Sequence, residues 1–177
     1  MSEAATLDAY GEVIEPLTLK IQRLLPGPID RVWAYLTESE LRRQWLASGA
    51  MEMKAGAPFT FTWRNNELSD PPGQLPEGFS AEHSLESRIL DFVPGRKLAI
   101  AWNQGEVSFE LEPAGDKVLL TIVHRRAPDR TTLLNVSAGW HAHLDVLATR
   151  LSGKPQTASF WDGWKRLKAE YETRLPA

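Results

Sequence analysis

The 177-residue sequence contains no cysteine. Disulfide cross-links and thiolate chemistry are therefore excluded, and we expect the protein to work in a reducing compartment, the cytoplasm. No apolar run is long enough to cross a bilayer, so membrane insertion is not expected. The acidic start of the chain, residues 1–16, lacks the apolar core of a secretory signal, and we expect no export from it.

An excess of basic residues is missing too, since 20 Lys and Arg stand against 23 Asp and Glu, for a formal net charge of −3. Nucleic-acid-binding domains usually present a basic face, so no nucleic-acid partner is expected. Internal repeats and the glycine motifs that cradle phosphates are absent as well. Tryptophan is plentiful by contrast, and such large aromatic surfaces must pack, line a cavity or meet a partner. The seven tryptophans are at positions 33, 45, 63, 102, 140, 161 and 164.

Alternating apolar and polar residues predict a series of β-strands. In the first of them, residues 17–25, Leu17, Leu19 and Ile21 share one face. Because short turns separate most of the later strands, we expect an antiparallel sheet. The later strands are predicted within residues 58–65, 83–92, 97–103, 105–116 and 117–126. A Pro- and Gly-rich excursion, residues 65–83, interrupts the series.

Helical spacing predicts two short helices directly after the first strand. Pro28 suits the first turn of one helix, where its missing N–H costs nothing. Thr37 and Glu40 form a capping-box pattern that predicts the start of the second helix.

A long helix is predicted over residues 129–152, with Asp129 as its N-cap and Gly153 as its end. Its apolar stripe contains small and polar residues, which indicates a face that is not filled like a solid core. The stripe is formed by Leu133, Ser137, Trp140, Leu144, Leu147, Ala148 and Leu151, with His141 on its shoulder.

These elements predict an α+β protein in which a curved antiparallel sheet wraps around the long helix. We divide the chain into an N-terminal arm over residues 1–16, which is either loose or an edge extension, a domain over residues 17–153, and a helical extension over residues 154–177. The extension carries a second aromatic stripe, Trp161, Trp164 and Tyr171. This stripe could pair with a second copy or dock on a partner, but packing on the same chain is favoured.

Three segments of the sequence resemble the START-like superfamily, and within it proteins related to activators of the heat-shock protein 90 ATPase. The segments are LPGPIDRVWAYLTESELRRQWLAS, LESRILDFVPGRKLAIAW and SAGWHAHLDVLATRLSG, and the resemblance covers roughly residues 17–152. It implies a helix-grip fold, with a hydrophobic cavity for an apolar ligand between the sheet and the long helix. It also implies a link to the stress response, through a chaperone partner.

Within such a fold the apolar faces of the strands and of the long helix predict the wall of a ligand cavity. Ordinary core packing of the same residues is the competing interpretation. The predicted ligand-binding residues are Phe61, Trp63, Ile100, Trp102, Phe109, Trp140, His141 and Leu144. His141 is the predicted polar anchor.

We predict neither a metal site nor a cofactor. His141 and His143 stand two positions apart, so on a regular helix their side chains point about 200° apart and do not hold one ion together. Glu86 and Arg88 share one face of their strand and are interpreted as a solvent-exposed ion pair, the alternative being a buried pair that grips a polar head group in the cavity.

The sequence therefore favours a small hydrophobic-ligand binding protein without catalytic residues. Two alternatives remain. One is a co-chaperone that activates a heat-shock protein 90 type ATPase through its surface, and the other is a cyclase or hydrolase that uses His141 as a general base in the same cavity. A serine hydrolase is excluded because Ser137 lacks the flanking motif of a nucleophile elbow.

Overall fold

The computed structural model describes residues 8–154 and 158–175. The part of the chain that it describes contains one antiparallel sheet of seven strands in the order β1-β2-β7-β6-β5-β4-β3. The elements in chain order are β1 (Glu12–Glu15), β2 (Thr18–Pro26), α1 (Ile29–Thr37), α2 (Ser39–Arg42), β3 (Pro58–Trp63), β4 (His83–Val93), β5 (Lys97–Trp102), β6 (Gly105–Ala114), β7 (Lys117–Arg125), α3 (Arg130–Ser152) and α4 (Phe160–Arg174).

The sheet curves around α3, so the predicted α+β helix-grip architecture is confirmed. Trp140 of α3 shows how the two layers meet, since its ring lies 5.7 Å from the ring of Phe109 on β6 and its indole N–H donates to His124 of β7. Because apolar residues of the sheet and of α3 close on each other, a single core forms between them.

The ends of α3 follow their local sequence signals. The Asp129 carboxylate accepts a hydrogen bond of 2.8 Å from the backbone N–H of Thr132, as an N-cap side chain should. Gly153 ends the helix with a φ of 74°, a left-handed conformation that glycine adopts without steric cost. The predicted range 129–152 therefore agrees with the structure to within one residue.

Residues 12–15 of the predicted arm form β1 at the edge of the sheet, where Glu12 lies opposite Lys20 of β2. Of the two interpretations of the arm, the edge extension is therefore the correct one for these residues. Residues 1–7 lie outside the described residues.

The predicted capping box at Thr37 is wrong. Thr37 is the last residue of α1, and its hydroxyl donates to the backbone carbonyl of Trp33 at 3.0 Å instead of capping α2. Glu38 is the N-cap of α2 and makes no side-chain capping bond. Thr37 thus closes α1, and α2 begins two residues later, at Ser39.

The short segment after α2 is held by Arg42, whose side chain is 1% exposed. Its guanidinium donates to the backbone carbonyls of Leu36 and Ala47, each at 3.1 Å, and to that of Gly49. The same group lies 4.9 Å from the ring centre of Phe61 on β3. Arg42 therefore joins α1, the segment after α2 and the sheet through one planar group.

The α4 helix buries its aromatic stripe, as the favoured interpretation predicts. Trp161, Trp164 and Tyr171 are at most 5% exposed, and α4 packs against α3. The long helix is thus enclosed by the sheet on one side and by α4 on the other. This explains why α3 buries residues around most of its circumference.

Glu86 and Arg88 are both solvent-exposed on β4, as predicted. The predicted ion pair is wrong, because none of the ion pairs within residues 8–154 and 158–175 joins these two side chains. The opposite face of this strand carries Ile89, which is fully buried in the core. One face of the strand is therefore exposed to solvent and the other is buried, as is common in antiparallel sheets.

Candidate ligand cavity

A cavity of about 430 Å³ opens between α3, one edge of the sheet, the excursion before β4, and α4. Its volume is in the range typical of small-molecule sites. The strand directions explain its position. β4 runs antiparallel between β3 and β5. The C-terminal ends of β3 and β5 and the N-terminal end of β4 therefore lie on the same side of the sheet, where the strands end. Trp63, His83 and Trp102 occupy these three positions and all line the cavity.

Three of the predicted site residues form a continuous aromatic wall. The ring of Trp102 lies 5.6 Å from that of Trp63 and 5.5 Å from that of Trp140, and all three line the cavity. The Trp140 indole nitrogen donates to Nδ1 of His124 at 3.0 Å, which fixes the orientation of this ring. His124 therefore supports the wall from behind at Trp140. The role of the three rings as ligand contacts stays a prediction.

Four other predicted site residues lie behind this wall and do not line the cavity. They are Phe61, Ile100, Phe109 and Leu144, each at most 2% exposed. Phe61 and Ile100 precede Trp63 and Trp102 by two positions, so they share the same face of the strand but lie about 7 Å further from the cavity edge. For these four the competing interpretation, core packing, describes their position.

His141 is also absent from the lining, which corrects its predicted position as the polar anchor of the cavity. It faces α4 and the N-terminal segment, where its Nδ1 lies 2.9 Å from the hydroxyl of Tyr171 and its ring 4.8 Å from the ring of Tyr10. The backbone N–H of Gly11 donates to the same hydroxyl. On the other side of the ring, Nε2 lies 3.7 Å from a carboxylate oxygen of Asp145.

Of the two histidines on α3, the one that lines the cavity is His143. Its Nδ1 donates to the Gly139 carbonyl oxygen at 2.6 Å, its Nε2 lies 2.9 Å from the side-chain amide of Asn65, and its ring contacts Phe160. Burial lowers the pKa of His143 to about 4, so the ring is neutral at pH 7. The two histidines face different sides of α3, as their spacing predicts, but the sequence did not tell which side meets the cavity.

The mouth of the cavity is formed by aromatic side chains whose contacts with one another were not predicted from the sequence. Phe79 of the excursion lies 5.7 Å from the ring of Trp161 and 5.0 Å from that of Trp164, and it is 39% exposed. Trp161 also ties the excursion to α4, since its indole N–H donates to the Asn66 side chain at 2.7 Å. The tryptophan stripe of α4 and the proline-rich excursion were each visible in the sequence, but not their contact.

The lining carries no formal charge, because no Asp, Glu, Lys or Arg is found among its described residues. Its polar groups are amides, imidazoles and one serine. One of them has no partner: Oδ1 of Asn135, on α3, is buried and makes no hydrogen bond within the described part of the chain. A buried oxygen without a donor is uncommon in folded proteins.

Two further properties bear on the class of site. Within residues 8–154 and 158–175, no group of three or more His, Asp and Glu side chains is placed to hold a metal ion. Over the same residues, no helix combines the length and the apolar character that a bilayer crossing needs.

A curved sheet that grips a long C-terminal helix, with an aromatic cavity between them, defines a START-like domain. More closely, the sequence profile of the family described as "Activator of Hsp90 ATPase homolog 1-like protein" matches residues 26–152. The chain belongs to this family. No curated protein sequence matches the chain significantly.

Solved structures agree with this assignment. The solution NMR structure of a protein encoded by gene BPP1335 of Bordetella parapertussis is 33% identical, with a TM-score of 0.78, over 100% of this chain and 97% of that one. CalU16 from Micromonospora echinospora is 20% identical, with a TM-score of 0.62, over 88% and 86% of the two chains. The conserved protein EF2215 of Enterococcus faecalis is 19% identical, with a TM-score of 0.62, over 94% and 91%. The latter two similarities show the fold alone.

Proposed function

We propose that the protein binds a small apolar molecule in the cavity between α3 and the edge of the sheet. The observation that carries this proposal is a cavity of about 430 Å³ walled by the rings of Trp63, Trp102 and Trp140. Apolar and aromatic walls with a few polar groups are typical of small-molecule sites. The absence of cysteine favours a cytoplasmic place of action.

An enzymatic role has less support. His141, the candidate general base, lies away from the cavity, and both ring nitrogens of His143 are in contact with other protein groups, the Gly139 carbonyl and the Asn65 side chain. General-base catalysis needs a free basic atom within hydrogen-bond reach of the substrate proton. A chaperone-activating role is supported only by the description of the family. Ligand binding is supported by the cavity in this chain's own structure, and we therefore favour it.

Filling the cavity from α3 is the sharpest test of the proposal. Gly139 lines the cavity, and a Cβ built there would meet only the indole nitrogen of Trp164, at 4.0 Å. In Gly139→Leu the new side chain therefore occupies ligand space without a steric clash at its Cβ. We expect at least about tenfold weaker binding of the neutral fluorescent probe N-phenyl-1-naphthylamine, since the leucine competes for the same volume.

Gly163→Leu is the matched control, because Gly163 is also helical, a Cβ there meets no atom within 4 Å, and the residue does not line the cavity. Both variants should be more stable than the wild type by about 0.5–1 kcal/mol, since glycine is a poor helix former. Native mass spectrometry of the fresh proteins and probe titrations provide the readout. Wild-type affinity in Gly139→Leu, with the melting temperature raised as in the control, would contradict the proposal.

A further inference from the structure

Residues 8–11, directly before β1, contact α3 and α4 and cover the buried ring of His141. We infer that these residues form an N-terminal strap that is released in mild acid, when His141 takes up a proton. This inference is independent of the proposed function, since residues 8–11 are not among the described residues that line the cavity.

The backbone of the strap is held by two side chains of the folded domain. The Arg23 guanidinium of β2 donates to the carbonyl of Ala9 at 2.5 Å. The backbone N–H of Gly11 donates to the Tyr171 hydroxyl of α4 at 2.8 Å. The same hydroxyl lies 2.9 Å from Nδ1 of His141, so one group joins the strap to the imidazole.

The side chain of Tyr10 completes the burial of this imidazole. Its ring stands edge-on to the ring of His141, with 4.8 Å between the ring centres. The Tyr10 hydroxyl donates to the Glu170 carboxylate, and the Arg174 guanidinium lies over the Tyr10 ring, 3.5 Å from its centre. Under this cover His141 is only 5% exposed, and removal of the strap would open it to water.

The charged groups that face His141 oppose one another. On α3 and α4, Asp145 and Glu170 favour the protonated ring, while Arg23 on β2 and Arg166 on α4 disfavour it. The two tyrosines in contact with the ring stay uncharged in acid, since the ordinary pKa of tyrosine is about 10. Burial has the largest influence and lowers the pKa of His141 to about 4. The strap, which completes this burial, therefore favours the neutral ring.

Protonation of His141 also disturbs the hydrogen bonds of the strap. Both nitrogens of an imidazolium are donors. The Tyr171 oxygen would then face two N–H donors, those of His141 and Gly11, and Nδ1 could not accept the hydroxyl proton. Between pH 6.5 and pH 4, the released state binds a proton that the strapped state does not bind. The free energy that holds the strap in place therefore falls as the pH falls through this window.

Hydrogen exchange at the Gly11 amide, followed by NMR in the full chain, measures release of the strap. Between pH 7.5 and pH 5.0 we expect its protection factor, corrected for the intrinsic exchange rate, to fall by between about tenfold and about thirtyfold. In His141→Gln the protection factor should be the same at both pH values, because no imidazole titrates under the strap. His143→Gln is the matched control, since His143 is also buried on α3 but faces the cavity, and the fall should remain in this variant.

Tyr10→Ala tests the same coupling in the reverse direction, because linkage between two equilibria is reciprocal. With the cover removed, an NMR titration should give a pKa for His141 at least about one unit higher than in the wild type. The pKa of His143, measured in the same spectra, should not change.

Three results of the exchange experiment overturn the inference. They are equal protection of Gly11 at both pH values in the wild type, a fall that persists in His141→Gln, and a fall that is lost in His143→Gln. An unchanged pKa of His141 in Tyr10→Ala overturns it as well. This last measurement decides the question if His141→Gln leaves Gly11 unprotected even at pH 7.5.

Discussion

Replacing Arg42 with methionine is expected to lower the free energy of unfolding by about 4 kcal/mol, a large part of the 5–15 kcal/mol that typical domains possess. Methionine fills much of the same volume but donates no hydrogen bond. The carbonyls of Leu36, Ala47 and Gly49 would lose the guanidinium that bonds to all three of them. Each buried acceptor left without a donor costs about 1–3 kcal/mol.

The charge of Arg42 does not weaken this expectation. Burial lowers its pKa from 12.5 to about 10, so the guanidinium is still protonated at neutral pH. Its desolvation is offset by the three carbonyls and by the ring of Phe61 at 4.9 Å. Arg42→Lys should recover only part of the loss, since one ammonium group does not reproduce the planar fork that spans three carbonyls.

The neighbouring residue offers the control. Arg43 pairs with Glu40 at 3.2 Å, and its side chain is 49% exposed. Exposed pairs of this kind contribute at most about 1 kcal/mol, so Arg43→Met should barely change the midpoint of a urea denaturation curve. Similar midpoints for the two methionine variants would show that the Arg42 hydrogen bonds contribute little to stability.

The second large effect is a loss of stability in mild acid. Burial lowers the pKa of His124 and His143 from 6.5 to about 4, because a charged imidazolium would be cut off from water. Between pH 6.5 and pH 4 the unfolded chain therefore binds protons that the folded chain does not bind. The free energy of unfolding falls as the pH falls through this window, by up to about 2 kcal/mol for each of the two histidines at pH 5.

Urea denaturation at pH 7.5 and pH 5.0 measures this effect. In His124→Gln and in His143→Gln, we expect the difference between the two pH values to be smaller than in the wild type, because one buried imidazole no longer titrates. His83 is exposed at the start of β4, so His83→Gln serves as the control and should retain the wild-type difference. An undiminished difference in both buried-site variants would refute the assignment of the acid sensitivity to these rings.

Much of the fold follows from local sequence signals. Alternation places Phe59, Phe61 and Trp63 on one face of β3, and the structure buries all three. Asp129 and Gly153 mark the two ends of α3, because capping depends on a few neighbouring backbone groups. Local signals can also compete with one another, however. The box at Thr37 failed, since a hydroxyl that can cap one helix can equally bond to the preceding turn of another.

The position and the lining residues of the cavity could not be predicted from such local signals. The alternation of apolar and polar residues assigns a residue to one face of a strand, but it does not tell how far along the strand the cavity lies. Trp63, which lines the cavity, and Phe61, which lies behind it, therefore show the same sequence pattern. The position of His141 depends on where α4 packs, and that contact joins residues 30 positions apart. The unpartnered oxygen of Asn135 is visible only once all of its neighbours are in place.

The sequence by itself determined the secondary structure of the strands and of the long helix, the division of each into a buried and an exposed face, and the opposed directions of His141 and His143. These properties arise from the period of the backbone and from neighbours a few residues away. Only the tertiary structure decided which rings reach the cavity, which histidine faces it, and that the excursion and α4 close its mouth. These properties depend on the distances between elements that are remote in the chain, and the packing of the whole domain sets those distances.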